Sequence, residues 1–158
     1  QRQYLAGACD AYTTDASGLA ASRATMPDAD NHIILPEIIS KEPLGPVVRH
    51  GDNNWGDIVR WTYYALLIAE EKGITKANVE EVLASTTDEE VKRLLGASGD
   101  MGAKFGLDNA AFKNAIAAVG NYGEIFSRNI GEGTTINLAR GLNALWTQGG
   151  LQYAPPFR

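Results

Sequence analysis

The chain has 158 residues and a formal net charge of −5, with a mass of 17.0 kDa and a pI near 5.0. Apolar residues make up 44% and charged residues 21%, a globular rather than a disordered composition. Lys and Arg dispersed over an acidic chain leave no electrostatic track for a phosphate backbone, so nucleic-acid binding is not expected. The greasiest stretch, Trp61 to Ile68, is too short for a membrane span.

No initiator Met, basic segment or apolar leader precedes Gln1, so the N-terminus reads as a cut end. Cys9 is the one cysteine. It is either a buried small hydrophobe or half of a disulfide whose partner lies outside the chain. Cys9 to Thr14 carries Tyr and Thr and reads as a strand. Asp15 follows as an N-cap, and the Ala-rich run Ala16 to Ala24 as a helix, which together make a βα unit. Pro27, Asp28 and Asp30 mark a loop. His32 to Leu35 and Leu44 to Arg49 are further strand candidates, with an extended connector between them. Pro43 and Pro46 each remove an amide donor, which suits an edge or a crossover.

From Asp52 the pattern is helical. Asn53 and Asn54 offer caps, Ile58, Trp61, Ala65 and Ile68 share a face, and Gly73 ends the element. Asn78 to Ala84 is a second helix. Thr87-Asp88-Glu89-Glu90 reads as a capping box for a third that ends near Gly96. A glycine-rich surface loop from Gly96 to Gly106 leads to a helix capped by Asp108. Tyr122 to Asn129 and Asn137 to Thr147 are the last two helices, and the tail through Pro155-Pro156 should lie extended against something. Many helices thus accompany three short strand candidates. A βα strand normally pairs with parallel neighbours covered by helices. The expected fold is therefore α/β and helix-rich, with its sheet incomplete within this chain and finished by residues outside it.

The chemistry is sparse. His32 and His50, 18 positions apart, with a lone cysteine do not make a zinc site, and both histidines read as structural or solvated. Gly96, Gly99 and Gly102 do not form a dinucleotide fingerprint, and Ser98 is not at nucleophile-elbow spacing. The carboxylates, including the Glu70-Glu71-Lys72 run, are explained by capping and solvation. No catalytic residue, metal site or cofactor is expected. Asp15 remains, at the C-terminal end of a strand, where open α/β sheets bind ligands. Beside the Thr13 and Thr14 hydroxyls it either caps its helix, receives a primary ammonium, or does both.

Ala6-Gly7-Ala8-Cys9-Asp10-Ala11-Tyr12-Thr13-Thr14-Asp15-Ala16-Ser17-Gly18-Leu19-Ala20 resembles a signature of periplasmic general L-amino-acid-binding proteins of ABC transporters. So do Ile34 to Pro46, Val119 to Phe126, Gly141 to Trp146 and the ending Gly149 to Pro156. The resemblance spans essentially the whole chain and departs at Ala8, where the signature has a basic residue. It implies the C-terminal portion of a two-lobed type II periplasmic-binding-protein clamshell. Residues 1–35 would end lobe two, 36–48 would form the hinge and return strand, and 49–158 the C-terminal helical part of lobe one. It further implies that Asp15, with Thr14 beside it, holds the α-ammonium of a free L-amino acid. The arginine clamp for the α-carboxylate would lie in the absent N-terminal half, and Cys9 would be half of a disulfide.

The implied function is periplasmic capture of an L-amino acid and delivery to the membrane permease subunits of an ABC importer, without catalysis. The chain would need its missing N-terminal half as a separate chain, or a swapped dimer. An enzyme on the same scaffold, resembling cyclohexadienyl or arogenate dehydratase, would need a cleft carboxylate as general acid or base. A helical fragment that binds nothing is the third reading.

Overall fold

The computed structural model describes residues 1–41 and 43–158. The helices are α1 (Arg2–Leu5), α2 (Ala16–Ala24), α3 (Asn53–Glu71), α4 (Val79–Ser85), α5 (Glu89–Leu94), α6 (Met101–Lys104), α7 (Ala111–Val119) and α8 (Tyr122–Asn129). Single 3₁₀ turns occur at Ala29–Asn31, Gly141–Asn143 and Trp146–Gln148. The chain divides into two units: Gln1–Gly45 with Asn129–Ala139, and Pro46–Arg128 with Arg140–Arg158. The division at 45/46 falls inside the segment read as a hinge, and residues 129–139 group with the first unit rather than with the helical run around them.

The second unit is built on α3. Its N-cap is Asp52, whose carboxylate accepts from the Trp55 amide at 3.1 Å. Asn53 and Asn54, the expected caps, therefore lie inside the first turn, one and two residues past the observed cap. Gly73 stops the helix as expected: at φ +68° it lets the Ile74 amide reach back to the Ala69 carbonyl at 2.7 Å. Ala65, Leu67, Ile68 and Ala69 are buried, so the last turns of α3 run through the core rather than along its edge. α3 and α4 both pack on α7, whose Phe112 and Ile116 are buried. α5 adds Val91, Leu94 and Leu95. Its N-cap is Asp88, accepting from the Glu90 and Val91 amides at 2.8 and 3.4 Å, in place of Thr87.

The tail completes this core. Leu145 forms an isolated parallel bridge with Gln152, and Phe157 is fully buried. The Phe157 ring meets Trp61 edge-on at 5.2 Å and Phe112 at 5.4 Å. The helix expected over 137–147 is absent. Asn137 takes a left-handed φ of +52°, and the Arg140 guanidinium bonds the Asn143 carbonyl at 3.0 Å while reaching Glu70. Tertiary anchoring has overridden local helix preference there. The glycine-rich stretch also differs from the loop expected: it contains α6, with Gly102 buried.

In the first unit, the Tyr4 hydroxyl lies 2.8 Å from His32 Nδ1 and His32 Nε2 lies 3.2 Å from the Pro27 carbonyl. A carbonyl can only accept, so Nε2 carries the proton and Nδ1 accepts from the tyrosine. His32 is a structural residue. The three expected strands form no ladder among the described residues. Residues 9–14, 33–41 and 43–48 make no backbone–backbone hydrogen bond to any described residue. A strand exists by pairing, and these extended segments have no neighbour here to pair with.

Candidate functional site

Asp15 stands at the junction of an extended segment and α2. Its carbonyl accepts the Leu19 amide at 2.8 Å, which starts the helix. Its backbone is extended (φ −50°, ψ 145°), and its carboxylate makes no capping hydrogen bond. Nor does the carboxylate join an ion pair among the described residues. The purely capping role is therefore not realised by the side chain. A full negative charge is left solvent-exposed next to the positive end of the α2 dipole. Thr14 is exposed beside it, and a Cβ at Gly18 would lie 3.2 Å from the Thr14 methyl and 3.6 Å from its hydroxyl. A bare residue at position 18 thus keeps room for the Thr14 side chain. Thr14 and Asp15 are adjacent, so the site residues named from the sequence lie together. The arrangement offers an anionic acceptor with a hydroxyl neighbour, which suits a primary ammonium. Cys9 is exposed and free, which removes the reading of it as a buried hydrophobe.

The second unit contains an ionic and aromatic network that sequence reading missed. Glu70, assigned above to a solvated run, is mostly buried and pairs with Arg140 at 3.0 Å. The Arg140 guanidinium lies over the rings of Tyr122 and Phe126, 5.3 and 5.2 Å from their centroids. The Tyr63 hydroxyl donates to Gln152 Oε1. Burial, followed by the neighbouring Tyr122, raises the Tyr63 phenol to about 12, and burial also raises Tyr122. Tyr63 and Glu70 are seven residues apart on α3 and so share a face, which is the one sequence signal that Glu70 turns inward. This network ties the segment after Arg140 to α3 and α8.

Among the described residues no group of three or more His, Cys, Asp or Glu side chains is placed to hold a metal ion. Nor, among the described residues, is any helix long and apolar enough to cross a membrane.

No protein-family model matches the chain. It is 73% identical, over all of its length, to the glutamate/glutamine/aspartate/asparagine-binding protein BztA of Rhodobacter capsulatus, of which it covers 47%. It is 59% identical over 98% of its length to the general L-amino acid-binding periplasmic protein AapJ of Rhizobium johnstonii, covering 46% of that protein. The chain is a homologue of the amino-acid-binding periplasmic proteins of ABC transporters. It spans about half the length of these curated relatives. A solved ABC transporter periplasmic binding protein from Brucella ovis, with glutathione bound, superposes with a TM-score of 0.92 at 55% identity. The match covers 99% of this chain and 49% of that one. The helix-rich chain therefore carries one half of a periplasmic-binding-protein fold, and its curated homologues are solute-binding proteins.

Proposed function

We propose that this chain is the C-terminal part of a periplasmic receptor that captures a free L-amino acid and delivers it to the permease of an ABC importer, without chemical turnover. Asp15 receives the ligand's α-ammonium, and Thr14 contributes a hydroxyl beside it. The observation that carries this is the Asp15 carboxylate itself: exposed, at a helix N-terminus, and spent on neither a cap nor an ion pair. BztA is named for acidic amino acids and their amides, and the Brucella ovis protein holds glutathione. Glutathione presents a free α-ammonium and α-carboxylate on its γ-glutamyl end, so one ammonium-binding carboxylate serves both ligand types.

The receptor needs a complement. Ile33, Leu35, Ile38, Ile39 and Leu44 are all exposed on extended backbone without internal partners. Apolar strands of this kind require a sheet to join. The absent half of the polypeptide, which would also hold the α-carboxylate clamp, is the natural supplier. A swapped dimer would still lack those strands.

The test is calorimetry on the chain assembled with its complementary half, titrated with L-Glu, L-Gln, L-Asp, L-Asn and glutathione. Asp15→Asn removes a charge-assisted hydrogen bond of roughly 1.5–3 kcal/mol and should weaken binding about ten- to hundredfold. Circular dichroism should be unchanged. Undiminished affinity in the variant would refute the assignment of Asp15. Conversion of prephenate or arogenate would replace the receptor with an enzyme.

A further inference from the structure

The second unit has an open cleft of about 180 Å³ that the ligand site does not use. Trp146 and Tyr153 line it, both more than half exposed, with their rings edge-to-face at 5.9 Å. Ile68 and the carboxylates of Glu71 and Glu90 lie along the same cleft. Lys72, the one cation among the described residues lining the cleft, is already matched, by Asp88 at 2.9 Å and Glu90 at 3.0 Å. Glu90 also accepts the Phe157 amide at 3.2 Å. The Glu71 carboxylate has no hydrogen bond or ion pair among the described residues. The cleft therefore presents two aromatic rings and one unmatched negative charge.

We propose that this cleft is a docking site for a partner protein that lays an arginine side chain against Trp146, Tyr153 and Glu71. A guanidinium stacks on aromatic faces and pairs with a carboxylate at the same time, and the cleft is lined by both kinds of group. Charge complementarity selects a cation, because Glu71 is the group left without a counter-charge. Size selects a protein side chain over a free metabolite. Pockets that enclose small molecules run to roughly 300–1,000 Å³, and an open cleft of this volume holds about one side-chain head. Trp and Tyr on one side and Arg on the other are the residue types that dominate protein–protein contact energies. The proposal does not depend on what Asp15 binds.

The probe is the peptide Gly-Gly-Arg-Gly-Gly, compared with its citrulline counterpart, which has the same shape without the charge. Each is titrated into the ¹⁵N-labelled chain while the indole N–H resonances are followed. The arginine peptide should shift the Trp146 resonance saturably, and the citrulline peptide should need at least about tenfold more. Glu71→Gln should abolish that preference, and Trp146→Ala should abolish binding. Both residues are on the surface, so the variants should keep the parent's circular dichroism. An equal response to the two peptides, or none, overturns the proposal. Two further results would also overturn it by assigning another occupant. One is protection of Trp146 from acrylamide when the chain is assembled with its complementary half. The other is a concentration-dependent dimer, seen by sedimentation, that Trp146→Ala dissociates.

Discussion

Phe157 stands one residue from the end of the chain, yet it is fully buried. Its ring lies edge-on to Trp61 at 5.2 Å, 87°, and to Phe112 at 5.4 Å, 88°. Truncating a buried Phe to Ala removes its transfer energy and leaves a cavity, together about 3–5 kcal/mol. The two aromatic pairs place Phe157→Ala toward the upper part of that range. Folded domains hold only about 5–15 kcal/mol in reserve, so this is a large share. With a urea slope of about 2 kcal/mol per molar, a loss of about 4 kcal/mol lowers the unfolding midpoint by about 2 M. Urea titration followed by tryptophan fluorescence measures it, because Trp61 is in contact with the deleted ring. Deleting Phe157 and Arg158 together should give the same loss or more. Leu151→Ala is the control: at 72% exposure it should stay within about 0.5 kcal/mol. A loss below about 1 kcal/mol for Phe157→Ala would refute the tail as part of the core.

Two pH dependences follow from the second unit. Hydrogen bonds to Asp88 and then Glu90 hold Lys72 above its ordinary 10.5, and the hydrogen bond from Lys72, then the Glu90 amide, holds Asp88 below 3.8. The raised lysine stabilises the fold below 10.5 and is lost as pH rises through its folded value. The depressed aspartate stabilises above 3.8 and is lost as pH falls through its folded value. Lys72→Met should therefore cost about 0.5–1 kcal/mol at neutral pH, a surface-pair magnitude, and the cost should shrink toward both extremes; melting temperatures of the two proteins across the range check it. Tyr63, raised from 10.0 to about 12, keeps its proton in the folded chain after the unfolded chain has lost it. Stability should fall as pH rises from 10 toward 12, and Tyr63→Phe should flatten that slope in alkaline thermal melts.

Local signals in the sequence located most helices. The spacing of Ile58, Trp61, Ala65 and Ile68 marked α3 because those side chains share one buried stripe, and Gly73 marked its end because a left-handed C-cap needs glycine. Caps were misplaced by one residue where several candidates sat side by side, as at Asp52 with Asn53 and Asn54. Geometry then chose the carboxylate that reaches the third amide. The region after Asn137 was illegible for a different reason. Its shape depends on Arg140 reaching Glu70, seventy positions away, and no window of local sequence contains both. The extended segments carry strand-forming residues, but pairing is a property of two strands, and no partner strand occurs among the described residues. For the proposed site, residue type and position singled out Asp15 as a candidate. That its carboxylate leaves the cap unmade required coordinates.

The distribution of buried residues leads to the last prediction. Of the fully buried apolar residues described, Ala20 alone lies in the first unit, and the others, from Ala65 to Phe157, lie in the second. One methyl group removes little apolar surface from water, whereas ordering each residue costs about 1–2 kcal/mol in backbone entropy. The first unit therefore lacks the burial to hold α2 firmly by itself, and α2 carries Asp15 at its start. Hydrogen exchange on the isolated chain should show amides of α2 opening with almost no protection, while those of α3 and α7 exchange only through large-scale unfolding. Assembly with the complementary half should slow α2 exchange by orders of magnitude and leave α3 little changed. If α2 amides in the isolated chain are as protected as those of α3, the first unit folds independently and this account of it is wrong. If they are not, the ammonium-binding role proposed for Asp15 would be coupled to assembly, because α2, which carries Asp15 at its start, would be held firmly only with the complementary half present.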